Sequence, residues 1–109
     1  MQEFFSPYSK MITSVVKSPL KSKRFRAYWT TKDGKERHTD FGQRGGFTFI
    51  DGADEKTREN YLKRHMANPL ERAKIVALSP SPALFSRYLL WGETPSLKTN
   101  LIILNKLLG

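Results

Sequence analysis

An α+β chain is expected from three features of the sequence. The dipeptide Asp33-Gly34 sits between two runs in which apolar and polar residues alternate. Ser81-Pro82 and Thr94-Pro95 each stand just before apolar residues at helical spacing. The chain has 109 residues and no cysteine, the length of one domain with one modest core. Together these predict a small antiparallel sheet, centred on the hairpin at Asp33-Gly34, followed by about three helices.

Taken in order, residues 1–20 read as an N-terminal arm with one strand candidate, and residues 21–109 as a single domain ending in an apolar helix. The arm combines Phe4, Phe5 and Tyr8 with Pro7 and two serines. Such arms order against neighbours. Met11–Lys17 holds β-branched residues that suit a strand, and Ser18-Pro19 breaks it. Lys23–Thr31 and Lys35–Phe41 form the hairpin. Phe25, Ala27 and Trp29 fall on one face, and Arg24, Arg26 and Tyr28 on the other. Gly42, Gly45 and Gly46 lead out of the sheet, and Phe47–Ile50 suits a further short strand.

The first helix is expected from about Asp54 to Met66, with Asp51 or Asp54 as cap and Lys63 and Arg64 near its negative end. Asn68-Pro69 ends it, and residues 70–78 suit a short helical continuation. The second helix starts at the Ser81 cap and is stopped by Gly92. The third is expected to be capped by Thr94, opened by Pro95 and continued to Leu108. Its stripe is Leu97, Leu101, Leu104 and Leu108, widened by Ile102 and Ile103.

Nineteen Lys and Arg against ten Asp and Glu give a net charge of +9. Residues 1–46 carry +6 of it, so the strand half is the more basic half. That balance favours acidic partners: nucleic acid, an anionic membrane face or an acidic protein surface. With no cysteine, disulfides, thiolate catalysis and cysteine-ligated zinc are excluded. No stretch reaches the roughly 20 apolar residues of a membrane span, and the first ten residues lack the pattern of a signal peptide.

The candidate binding residues are of two kinds. Lys21, Lys23, Arg24, Arg26 and Arg37 form a basic set on the hairpin, interleaved with Tyr28 and Trp29. Phosphates need fixed positive charge and bases stack on aromatic rings. A solvated hairpin face with Trp29 in the core explains the same residues. Phe4, Phe5, Tyr8, Leu101 and Leu104 are candidate anchors for neighbouring chains. Tyr61-Leu62-Lys63-Arg64-His65 is explained by the helix end it occupies. His38 and Asp40 make one weak pair where metal sites need three or four ligands. Asp51, Asp54 and Glu55 sit where a helix start wants acids, and the glycines at 42, 45 and 46 lack a following Lys-Ser or Lys-Thr. No catalytic residue, cofactor, metal or small-molecule substrate is therefore expected.

The hairpin 23–41, Asp40-Phe41-Gly42 with Gly45, Tyr61-Leu62-Lys63-Arg64-His65, and Phe85-Ser86-Arg87-Tyr88-Leu89-Leu90-Trp91 followed by Pro95 and Leu97 carry a resemblance over roughly residues 23–98. In them the chain resembles an uncharacterised family of short basic proteins of large nucleocytoplasmic DNA viruses, among them algal viruses and giant-virus relatives. The resemblance implies a viral setting: a non-enzymatic minor capsid or assembly protein, made in the host cytoplasm and carried in the virion. Its partners would be major and minor capsid proteins, with nucleic acid or the inner viral membrane face as further contacts of the basic hairpin. A basic nucleic-acid-binding protein of genome packaging is the alternative.

Overall fold

The computed structural model describes residues 11–109. Its sheet is an antiparallel meander of three strands, β1 Met11–Lys17, β2 Lys23–Thr30 and β3 Glu36–Gln43, with β2 in the centre. The β2–β3 turn forms as expected. Gly34 takes φ +86°, a conformation glycine reaches without a Cβ penalty, and its N–H donates to the Thr31 carbonyl at 3.0 Å.

β1 makes the expected strand, and it also makes residues 11–20 part of the domain. Ile12 and Val15 are three apart, which simple alternation would place on opposite faces. A register shift between Ile12 and Ser14 inserts Thr13 as an extra residue. Ile12 then pairs with Trp29 and Val15 with Ala27, so both turn to the core side. The exposed edge of β1 is held by Asn105, whose Oδ1 accepts from Ile12 N–H at 2.8 Å and whose Nδ2 donates to Ile12 C=O at 2.9 Å. A side-chain amide thus stands in for a strand neighbour.

Four helices follow: α1 Glu55–Ala67, α2 Pro69–Val76, α3 Pro82–Phe85 and α4 Leu97–Leu108. The segment Phe49–Asp51 is a 3-10 turn, which corrects the short strand expected over 47–50. The cause is local. Asp51 Oδ2 accepts from both the backbone N–H and the hydroxyl of Thr48 at 2.9 Å, closing the chain on itself before it can extend. Asp54 caps α1 by accepting from Thr57 N–H at 2.8 Å, and Asn68 caps α2 from its side-chain oxygen. α2 ends with Leu78 at φ +52°, a position that usually falls to glycine. Its half-buried side chain packs on the core in exchange.

Ser81 caps α3 through Leu84 N–H, as expected. α3 then widens into a π-helical turn, Ser86–Leu90, where Trp91 N–H reaches back to the Ser86 carbonyl at 3.0 Å. α4 starts two residues later than Thr94-Pro95 suggests. Ser96 is the cap, accepting from Thr99 N–H, because the Thr94 hydroxyl is occupied by Ser96 and Asn100.

The helices cover one face of the sheet. Ala27 and Phe41 meet Leu84, Phe85, Leu89 and Leu104, all fully buried. Phe41 lies 5.8 Å from Phe25 and 5.6 Å from Phe85 between ring centroids. The expected face of Phe25, Ala27 and Trp29 is thus the core face, and the Trp29 indole N–H is satisfied by Thr39 at 2.9 Å. Gly92 is required by a close approach. A Cβ there would collide with the Tyr88 carbonyl oxygen and come within 2.8 Å of the Asn100 side chain.

Candidate functional site

The basic hairpin residues do not form one face. Arg26 grips Asp40 with two parallel bonds of 3.0 and 3.1 Å, and Ser18 donates to the same carboxylate at 2.7 Å. The guanidinium, with the Ser18 hydroxyl, holds the Asp40 carboxyl below its usual range, and Asp40 raises Arg26 in turn. Arg24 grips Asp51 bidentately at 2.6 and 2.5 Å, and the Asp51 carboxyl falls to about 2. Both arginines are therefore matched inside the chain.

Register separates the others. Arg37 pairs with Trp29 and so shares its face, opposite to that of Arg26. Lys23 pairs with Gln43 at the far end of β2, roughly 20 Å from the Trp29–Arg37 pair at 3.3 Å per residue. Lys21 lies exposed in the β1–β2 turn. Among the described residues Lys21, Lys23 and Arg37 have no carboxylate within ion-pair distance. The single basic face expected from sequence is thus corrected to two internal ion pairs and three scattered cations. Asp40, once a metal candidate beside His38, is committed to Arg26 and Ser18.

The anchors divide in the same way. Phe4, Phe5 and Tyr8 lie outside the described residues. Leu104 is fully buried against the sheet and Leu101 packs half-buried beside it, so this stripe of α4 faces its own domain. The apolar residues that α2 and α4 do leave open are others: Leu70, Val76, Ile102 and Leu107. Val76 and Leu107 border a groove of about 380 Å³ whose floor and walls include Leu62, Met66, Ile75 and Tyr88. The thin stripe of α1 thus supplies one wall, α2 the second and α4 the third. Arg87 is the one charged residue lining it, and is held by Glu93 and the Trp91 carbonyl.

A second concavity of about 390 Å³ opens at the end of the sheet. The loop 42–48 forms one side, Tyr61, Arg64 and His65 of α1 another, and Ser86 and Leu90 of the π-helical turn, with Trp91 just after it, the third. Tyr61 is stacked with Trp91 at 4.4 Å and with His65 at 4.0 Å. Burial, with the nearby Glu71 charge, pushes the Tyr61 phenol up to about 12, so it stays protonated. His65 Nδ1 is bonded to Glu71 at 2.8 Å, which ties α1 to α2. The helix end that explains Tyr61–His65 in sequence gives no sign of this cleft. The π-helical turn, which brings Ser86 and Trp91 to Tyr61, has no sequence signature and could not be foreseen.

Comparison with known proteins gives two matches. A model described as a family of unknown function (DUF5754) matches residues 13–65. The uncharacterized protein L851 of Acanthamoeba polyphaga mimivirus is 30% identical over 92 residues, covering 84% of this chain and 92% of that protein. No solved structure matches.

Proposed function

Because the chain belongs to the same family as the uncharacterized mimivirus protein L851, we propose that it is a non-enzymatic structural protein of a large DNA virus, a minor capsid component that bridges neighbouring capsid proteins. The observation that carries this reading is the groove between α1, α2 and α4. Val76, which lines it, is 71% exposed in a chain small enough to need its apolar residues inside, and Leu70 at the other end of α2 is 80% exposed. Apolar side chains left open beside a concave surface are the features of a protein-docking site. Arg72 and Lys74 of α2 and Lys106 of α4 are exposed cations on two of the helices that wall the groove, charges that would steer an acidic protein surface toward those helices.

The alternative, a protein that packages nucleic acid through its hairpin, is supported by the net charge of +9 and by the open cations Lys21, Lys23 and Arg37. It is weakened by the ion pairs that occupy Arg24 and Arg26. The two readings separate on salt. Binding carried by phosphate contacts falls steeply as salt rises, whereas an apolar groove keeps its partner. In pull-downs from infected-cell extract, the wild type is expected to retain a capsid protein in 0.5 M salt, a concentration of about the strength that screens exposed charges. Val76→Glu is expected to lose it. Retention by Val76→Glu, or recovery of nucleic acid alone, contradicts the proposal.

A further inference from the structure

The cleft at the end of the sheet is separate from the groove and carries a different chemistry. None of its lining residues is a carboxylate, and two of them are Arg64 and His65. The nearest acids are already matched: Asp51 by Arg24, and Glu71 by His65. Arg64 has no carboxylate partner among the described residues. Since Glu71 holds Nδ1 of His65, Nε2 is the ring nitrogen left for a ligand. Ser86 lines the same cleft from the π-helical turn, beside the Tyr61 phenol.

The glycine loop completes the arrangement. In sequence it lacks the adjacent Lys that a phosphate loop needs. In space the cation comes from α1 instead, some twenty residues on. Gly42 at φ +78° and Gly45 at φ +83° let the chain turn out of the sheet, and at Gly42 a Cβ would stand 3.0 Å from Leu90 Cδ1 of the π-helical turn. Phe47, 65% exposed, lines this cleft.

From this geometry we infer that the cleft binds a nucleoside monophosphate, its phosphate held by Arg64, His65 and Ser86 and its base against Phe47. A phosphate monoester presents three acceptor oxygens, which match a guanidinium fork, a hydroxyl and the Nε2–H of His65 when the ring carries both protons. A carboxylate would occupy the fork and leave the rest unused. The volume falls in the range of about 300–1,000 Å³ typical of small-ligand sites, and an aromatic face is the usual platform for a base.

The test is a ¹H–¹⁵N NMR titration of the full chain with three probes: adenosine 5′-monophosphate, inorganic phosphate and adenosine. The monophosphate is expected to shift the amides of residues 42–48, 64–65 and 86, and to bind at least about tenfold tighter than either fragment, since both halves of the cleft contribute. Arg64→Gln, on the exposed face of α1, should keep the dispersed spectrum and lose about tenfold in affinity. Phe47→Ala should bring the monophosphate down to the affinity of phosphate alone. Val76→Glu should bind it unchanged, because the groove is elsewhere. Shifts absent from the cleft with every probe, equal affinity for the monophosphate and phosphate, or an unaltered affinity in Arg64→Gln would each overturn the inference.

Discussion

The sheet and the helical layer resolve their side chains in opposite ways. On the sheet, the central groups that looked poised for a partner find one within the chain, Arg24 in Asp51, Arg26 in Asp40 and the edge of β1 in Asn105, while Lys23 and Arg37 near the strand ends stay unpaired among the described residues. In the helical layer, apolar residues outnumber the places that can bury them, and Leu70, Val76, Ile102 and Leu107 stay open. A residue type suggests a role, but only the presence or absence of an internal partner shows which surface is available to another molecule. By that criterion the helical layer leaves apolar side chains open, and this is the surface the proposed docking would use.

Four substitutions sharpen this contrast, beginning with the most damaging. Gly92→Ala forces a Cβ into the Tyr88 carbonyl and Asn100, and is expected to cost roughly 4 kcal/mol or more, enough to leave little folded protein. Circular dichroism in a denaturant series reads this directly. Phe85→Ala removes the ring that joins α3 to Phe41 on β3, with an expected loss of about 3–5 kcal/mol by the same method. Asn100→Leu keeps the volume and removes four bonds: from Nδ2 to the Leu89 and Thr94 carbonyls, and to Oδ1 from the Thr94 N–H and hydroxyl. Leaving those buried groups unsatisfied should cost about 2–3 kcal/mol in thermal melts.

Asp51→Ala is the mildest and tests whether the hairpin cations are truly internal. It removes the Thr48 cap and the partner of Arg24, for about 1–2 kcal/mol. Its pH dependence is more telling. The folded carboxyl sits at about 2 against an ordinary 3.8, so protonation favours the unfolded chain. The stabilisation is present above about pH 4 and is lost as pH falls through about 2. Asp51→Ala should flatten that part of the acid profile. If it does not, Arg24 is not held by Asp51, and the hairpin regains a cation for nucleic acid.

Much of the fold was legible because local chemistry decided it. Asp33-Gly34 fixes a turn by backbone conformation, and Asp54 and Ser81 accept helix N–H groups whatever the tertiary context. Where two local devices competed, the reading slipped. Ser96 displaced Thr94 as the α4 cap, and the Thr48–Asp51 box turned 47–50 away from a strand. The sites were less legible because they depend on distant pairings. Arg24 and Asp51 are 27 positions apart, Ile12 and Asn105 are 93 apart, and nothing near either residue announces the other. The cleft is the extreme case, since it needs loop 42–48, the end of α1 and a π-helical turn at once.

The central claim is that this chain meets protein through its groove, as part of a viral shell. The most direct measurement follows wild type and Val76→Glu by mass spectrometry through fractionation of purified virions, with shell and genome separated in moderate salt. Val76→Glu should fold normally, because the residue is exposed and such changes cost within about 0.5 kcal/mol. The account predicts wild type in the shell fraction after salt and Val76→Glu missing from the particle. Wild type released with the genome by salt, or Val76→Glu incorporated to the same level, would contradict it.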